Sequence, residues 1–142
     1  MSLLDEIRAK ARAQTKTIVF PEGDEPRTVQ AAAILQAQKL VCPVLLGDPE
    51  RIHVAAEENG ADISGIRIMD PADSPERQRY RDELYAIRKR KGISMEEADR
   101  LVSDPMYFGV MMVKCGDADG LVSGASHSTG DMLRPALQII KT

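Results

Sequence analysis

Tryptophan is absent, Phe, Trp and Tyr together make up 4% of the chain, and there are two cysteines and two histidines among 142 residues. A core here cannot rest on stacked rings and has to be built from Ala, Val, Ile, Leu and Met. Cys42 and Cys115 lie far apart, with neither a CxxC nor metal-ligand spacing, so the sequence offers no disulfide framework and no zinc site. Reduced, buried thiols are the expectation. His53, inside a helical pattern with no His, Cys or carboxylate arranged beside it, reads as structural, and no metal is expected. No apolar run approaches a membrane span and the N-terminus is charged rather than signal-like, which makes the cytoplasm the default. The formal net charge of −3, with signs interspersed, gives no reason to expect nucleic-acid or membrane partners. An anionic ligand would need a local basic site, and no Walker-type Gly-Lys-Ser/Thr supplies one.

What is present is a regular alternation. At this length the chain suits about one domain, able to bury roughly two-thirds of its unfolded surface. Leu3, Leu4, Ile7 and Ala11 recur at helical spacing within Ser2–Gln14, with Ser2 as cap. Thr17–Phe20 reads as a buried strand stopped by Pro21; Pro26 starts a helix through Thr28–Lys39. Cys42–Leu46 is a second strand, Glu50–Asn59 a helix closed by Gly60, and Ile66–Met69 a third strand ended by Asp70-Pro71. Continuous apolar strands in this rhythm argue for parallel βαβ units. Beyond Ser74 the pattern is helical: Ser74-Pro75-Glu76 starts a run that Gly92 stops, Ser94–Val102 carries capping-box spacing with Glu97, and Asp104-Pro105 opens a helix with a stripe of Phe108, Met111, Met112 and Cys115, read as core filling. The basic cluster Arg88-Lys89-Arg90-Lys91 suits the carboxyl end of its helix.

The stretch Asp119–Thr142, DGLVSGASHSTGDMLRPALQIIKT, organises the rest. Gly120–Val122 is a fourth strand; a loop of small and hydroxylated residues follows, then an apolar helical pattern. Gly124 and Gly130 permit close backbone approach or positive φ, and Ser123, Ser126, Ser128 and Thr129 are hydroxyl donors without bulk. The free N–H groups at the helix start would favour an anion in the same space, and Arg134 brings a fork suited to phosphate oxygens. A phosphate fits that description. The loop could equally be a Ser-rich connection whose job is capping, with Ser128 and Asp131 spaced like a capping box. Pro135 leaves two readings: a helix from near Ser128 that kinks at Arg134, which is preferred, or a main helix that begins at Pro135. His127 is the loop residue that can titrate near neutrality, either in proton transfer or as a hydrogen-bonding group; Asp131 suits a cap better than a base. Arg27, in the first turn of its helix, reads either as a ligand contact or as the partner of Asp24 or Glu25.

That stretch resembles the most recognisable segment of the phosphate acetyltransferases, which exchange an acetyl group between coenzyme A and inorganic phosphate. TIVFPEGDEPRTVQAAA (Thr17–Ala33), PVLLGDPERI (Pro43–Ile52), YAIRKRKGIS (Tyr85–Ser94) and YFGVMMVKCGDADGLVSG (Tyr107–Gly124) match in order and spacing, so the resemblance covers nearly the whole chain. It implies a three-layer α/β (αβα) fold with a mainly parallel sheet, similar to the isocitrate and isopropylmalate dehydrogenase fold. Residues 1–142 would then form most of the first of two domains. It implies a direct acyl transfer without an acyl-enzyme, no permanently bound cofactor, and coenzyme A or acetyl-CoA, phosphate and acetyl phosphate as substrates. It marks Arg88 as matching a cleft arginine of the family and Arg27 as a phosphate or coenzyme contact, beside Arg134, Ser123, Gly124, Ser126, His127, Ser128 and Thr129 as the substrate-binding wall. The carboxylate base would come from beyond residue 142, so an acetyltransferase by family is expected to be inactive as residues 1–142 alone. A sheet lacking strands would leave an open edge or apolar surface for another copy, so a homo-oligomer, as a dimer, is expected. Phosphate butyryltransferase, a non-catalytic acetyl-CoA-binding module like that fused to malic enzymes, and an inactive binding or assembly unit are the alternatives; the match over Tyr107–Thr142 favours acetyl.

Overall fold

In the computed structural model residues 2–140 are described. Helix α1 (Leu3–Ala13) is closed at its start by a full capping box, in which Ser2 Oγ accepts from the Asp5 N–H and the Asp5 carboxylate accepts from the Ser2 N–H. Strand β1 (Lys16–Phe20), helix α2 (Pro26–Ala37), strand β2 (Val41–Leu46), helix α3 (Pro49–Glu58) and strand β3 (Arg67–Met69) follow as the apolar pattern requires. Helices α2 and α3 each begin with proline at their first position behind an acidic cap, Glu25 and Asp48. Four helices and one short strand complete the chain: α4 (Arg77–Arg88), α5 (Met95–Val102), α6 (Pro105–Lys114), β4 (Gly120–Leu121) and α7 (Thr129–Ile139).

All strand pairings are parallel and the order across the sheet is β3-β2-β1-β4. Side chains alternate between the two faces, as a pleated strand dictates. Val19, Val44 and Leu46 pack with Tyr80, Leu84, Val102, Phe108 and Met111 from α4 to α6, whereas Phe20 and Leu45 pack with Val29 and Ala32 of α2 and Ile52 and Ala55 of α3. Both faces are therefore covered, which is why the strands are apolar without interruption. The methionine stripe of α6 fills the core, with Met111 and Met112 fully buried.

The chain winds outward from β1 to β2 to β3, then returns to the other side of β1 to lay down β4. Such a reversal opens a crevice at the carboxyl ends of the two strands that flank it. On one side of it the chain leaving β1 crosses against β2, where the Gly23 N–H donates to the Leu46 carbonyl at 3.1 Å. A Cβ at Gly23 would stand 2.4 Å from that oxygen, so only glycine lets the chain pass there. At the opposite, amino ends of the two strands, Asp119 ties β4 to β1 by accepting from the Thr17 N–H and donating its own N–H to the Thr17 carbonyl, both at 2.8 Å.

Several expectations need correction. Cys42 is exposed, not buried, because it lies at the start of β2, where burial has not yet set in along the strand; Cys115 is half-buried, and burial pushes its thiol upward. Helix α1 forms as expected, yet none of its residues is buried. The capping boxes at Ser94 and Ser128 are half made: each serine accepts from the N–H three residues on, but Glu97 pairs with Arg100 and Asp131 leans toward Arg134. Helix α4 begins at Arg77 with no side-chain cap from Glu76 and gives way at Lys89–Lys91 to a 3-10 turn before Gly92. Of the two readings at Pro135 the helix that starts near Ser128 is the one observed, since α7 runs from Thr129 through Pro135 to Ile139. Strand β4 is one residue shorter than expected, although the Val122 N–H still donates to the Val19 carbonyl at 3.1 Å.

Candidate active site

The loop between β4 and α7 is folded around a carboxylate that the sequence reading passes over as part of a turn. Glu22 stands two residues after β1 and is 4% exposed. Its Oε1 accepts from Ser123 Oγ at 3.0 Å, Gly124 N at 2.9 Å and Ala125 N at 3.0 Å. Its Oε2 accepts from Ser126 N at 2.6 Å, Ser126 Oγ at 2.9 Å and His127 N at 2.8 Å, and faces His127 Nδ1 at 2.9 Å. These contacts more than fill the roughly four lone-pair positions of a carboxylate, which has to be ionised to accept them all. Burial works against ionisation, but the hydrogen bonds from His127, Ser126 and Ala125 outweigh it and hold the carboxyl far below its usual range. Gly124, at φ 122°, makes the reversal that turns successive N–H groups toward one point. Arg27 secures the outside: its Nε pairs with Glu25 at 3.0 Å, and its NH2 group donates to the Ala125 carbonyl.

The donors of Ser123, Gly124 and Ser126 and the backbone N–H of His127, which the sequence reading offers to a phosphate, are thus spent on an internal anion. What the structure leaves for a ligand is different. His127 Nε2, the Thr129 hydroxyl at the start of α7 and Arg134 have no such engagement, and the Ser128 hydroxyl, which accepts from the Asp131 N–H, keeps its own hydrogen to donate; the side chain of Arg134 is 63% exposed, with its nearest carboxylate, Asp131, at 4.0 Å. His127, Asp131 and Arg134 face Arg100, Asp104 and Tyr107 across an open cavity of about 610 Å³. Arg100 is held by Glu97, and the Tyr107 hydroxyl donates to Gln138 at 2.9 Å. Burial raises the Tyr107 phenol, while the charges of Arg134 and Arg88 act to lower it. Arg88, at the end of α4, does not line the cavity itself; its charge reaches Tyr107, which does. Arg27 grips the loop through the Ala125 carbonyl, whereas Arg134 is open to the cavity. A second concavity, beside the carboxyl ends of α2 and α3, carries Asp62 as its one charged group and does not suit an anion. Among the described residues no three or more His, Cys, Asp and Glu side chains gather as a metal site.

The family description "Phosphate acetyl/butaryl transferase" matches residues 2–142. The chain belongs to this family. It is 50% identical over 142 residues to the phosphate acetyltransferase of Thermoanaerobacterium thermosaccharolyticum and 42% identical to that of Acetivibrio thermocellus, covering all of this chain and 43% and 42% of those proteins. Among solved structures it superimposes on a phosphotransacetylase from Streptococcus pyogenes with a TM-score of 0.93 at 41% identity, covering 100% of this chain and 44% of that one. It also superimposes on the EutD phosphotransacetylase from Staphylococcus aureus with a TM-score of 0.90 at 43% identity, covering 99% and 42%. The chain therefore spans less than half the length of the curated relatives it matches.

Within this family fold, Glu22, Tyr107 and Arg100 are the cavity and loop residues that sequence reasoning missed. A signal for Glu22 did exist. A loop dense in N–H and hydroxyl donors needs an anion, and a carboxylate just past a neighbouring parallel strand is the nearest internal source. Which of Glu22, Asp24 and Glu25 takes that place depends on how β1 leaves the sheet, and that is settled by the Gly23 crossing.

Proposed function

We propose that the protein acts as a phosphate acetyltransferase, carrying an acetyl group reversibly between coenzyme A and inorganic phosphate by direct attack. In the direction of acetyl-CoA synthesis, the coenzyme A sulfur forms a bond to the acetyl carbon of acetyl phosphate. The carbon–oxygen bond to phosphorus breaks, the thiol proton passes to a base, and phosphate departs with the bonding pair. The task assigned to these residues is the phosphoryl half. Arg134 neutralises the charge that grows on the departing oxygen, the hydroxyls of Ser128 and Thr129 and the N–H groups opening α7 hold the other oxygens, and the loop of Ser123, Gly124, Ser126 and His127 shapes the wall. Arg88 acts from behind Tyr107, and Arg27 through the loop. The observation that carries this reading is the 63% exposed guanidinium side chain of Arg134 on the first turns of α7, lining the open cavity with His127.

For the whole molecule we infer a cytoplasmic homodimer in which residues 1–142 form most of the first of two α/β domains. Reduced cysteines support the location, and no helix among the described residues is long and apolar enough to cross a membrane. The unburied apolar face of α1 supports the association.

The test is thioester formation from acetyl phosphate and coenzyme A by the purified protein, followed at the thioester absorbance. Replacing Arg134→Ala is expected to lower the rate by at least about a hundredfold, the usual loss for one charge-stabilising donor. An unchanged rate would remove Arg134 from the chemistry. Faster turnover of butyryl phosphate would move the acyl assignment, and coenzyme A binding without turnover would favour the non-catalytic module.

A further inference from the structure

The carboxylate of Glu22 does more than fill a gap in the loop. It is buried, ionised, and bonded to one particular nitrogen of a histidine that lines the cavity. An ionised carboxylate accepts and does not donate, so the Nδ1 it faces at 2.9 Å has to carry a hydrogen. In the neutral ring Nε2 is then a bare acceptor, and it has no partner among the described residues. The two ring nitrogens point apart, so fixing Nδ1 on a buried oxygen turns Nε2 away from it, and His127 and Arg134 line the same cavity.

We propose that Glu22 is the positioning residue of an anion site: it orients His127 so that, when a tetrahedral oxyanion such as phosphate enters beside Arg134, Nε2 takes up a proton and donates it as a hydrogen bond to the anion. The imidazolium then bridges two negative groups, Glu22 and the ligand. The proton comes from solvent, and no covalent bond is made or broken. The charged and titratable groups around His127 are Glu22 after β1, the Glu97–Arg100 pair of α5, Asp104 and Tyr107 at the start of α6, and Asp131 and Arg134 of α7. Of the carboxylates other than Glu22, Glu97 pairs with Arg100 and Asp104 caps α6, while Asp131, exposed, lies 4.0 Å from Arg134. The inference deepens the reading as a phosphate-transferring enzyme and rests on it for the identity of the anion, but not for the geometry.

The test uses the intact protein and sulfate, an anion that carries no titrating proton at neutral pH. Nitrogen-15 spectra of the His127 ring are expected to show hydrogen on Nδ1 alone in the free protein above neutral pH and on both nitrogens once sulfate is bound. Calorimetry in buffers of different ionisation heat should record uptake of one proton. Glu22→Gln, which keeps the shape but leaves one acceptor oxygen, should weaken sulfate binding about tenfold and abolish the uptake. His127→Gln should do the same while replacing a side chain that is 30% exposed and leaving the buried carboxylate in place, which guards against a Glu22 variant that fails to fold. A free-state ring protonated on Nε2, sulfate binding without proton uptake, or no sulfate binding at all would each overturn the proposal. A normal proton signature in a protein that makes no thioester would leave it standing and sink the acetyltransferase reading alone.

Discussion

Glu22 shows how one carboxylate can be costly to bury and still stabilise the fold. Its desolvation is offset because each side of the group meets hydrogen-bond donors already pointed at it by the backbone of the Ser123–His127 stretch. Its folded-state ionisation is depressed, so the stabilisation it contributes is fully present above the ordinary carboxylate range near pH ~4.3 and is lost as pH falls below it. Urea unfolding at pH 7, 4 and 3 should therefore show Glu22→Gln less stable than the parent by about 2–4 kcal/mol at pH 7, with the gap closing toward pH 3. Parallel pH curves for the two proteins would mean that the acid sensitivity lies elsewhere. At this scale the sequence was partly legible. Arg134, which lines the cavity, was singled out from its residue type and its place after a donor-rich loop. The partner of that loop was not, because 101 positions separate Glu22 from Ser123.

At the scale of elements, helix starts were the most readable feature, since each depends on residues adjacent in sequence. Asp48-Pro49 and Asp104-Pro105 are caps whose side chains accept from the first free N–H groups, as their spacing requires. The loop between β1 and α2 depends instead on a long-range crossing. Gly23→Ala would push a methyl group into the Leu46 carbonyl, which is backbone and cannot rotate away. We expect a loss of at least about 2 kcal/mol in unfolding experiments, together with weaker anion binding, because Glu22 is carried on the same turn. Gly109→Ala is a useful control. Its added carbon would stand 2.9 Å from the side-chain Leu121 Cδ1, at the packed face of α6, so it should cost stability while leaving the loop alone. Equal effects of both variants on anion binding would break the proposed link between the crossing and the site.

For the whole molecule, the surface is more informative than the core. Leu3, Leu4 and Ile7 are 73%, 52% and 54% exposed on one face of α1, and Leu133 and Leu137 of α7 are 50% and 64% exposed. The strands at the outer edges of the sheet, β3 and β4, are three and two residues long. Short edges limit open-ended strand pairing, which leaves the helical faces to mediate association. Light scattering should therefore give a mass of at least twice 15.6 kDa for this chain, and Ile7→Glu should shift it toward the single-chain value without altering the far-ultraviolet spectrum. A parent that stays monomeric at tens of micromolar concentration would refute the inferred dimer.

By itself the sequence determined the parallel α/β alternation, the helix caps, the aliphatic and methionine-rich core, and the presence of a donor-rich turn before Arg134. All of these follow from periodicity and from neighbours a few residues apart. Tertiary structure alone decided where the turn's hydrogen bonds go. The reversal of strand order at β1 sets the β4 loop beside the exit of β1, and that proximity gives Glu22 the N–H groups that local reading assigned to a ligand. It also decided that His127 and Arg134 face one cavity with Tyr107, and that Arg27 grips the loop from outside. The physical reason is the same in each case: hydrogen-bond donors are written in the chain, but the choice between solvent, ligand and an internal carboxylate is made by distances that exist only once the sheet is assembled.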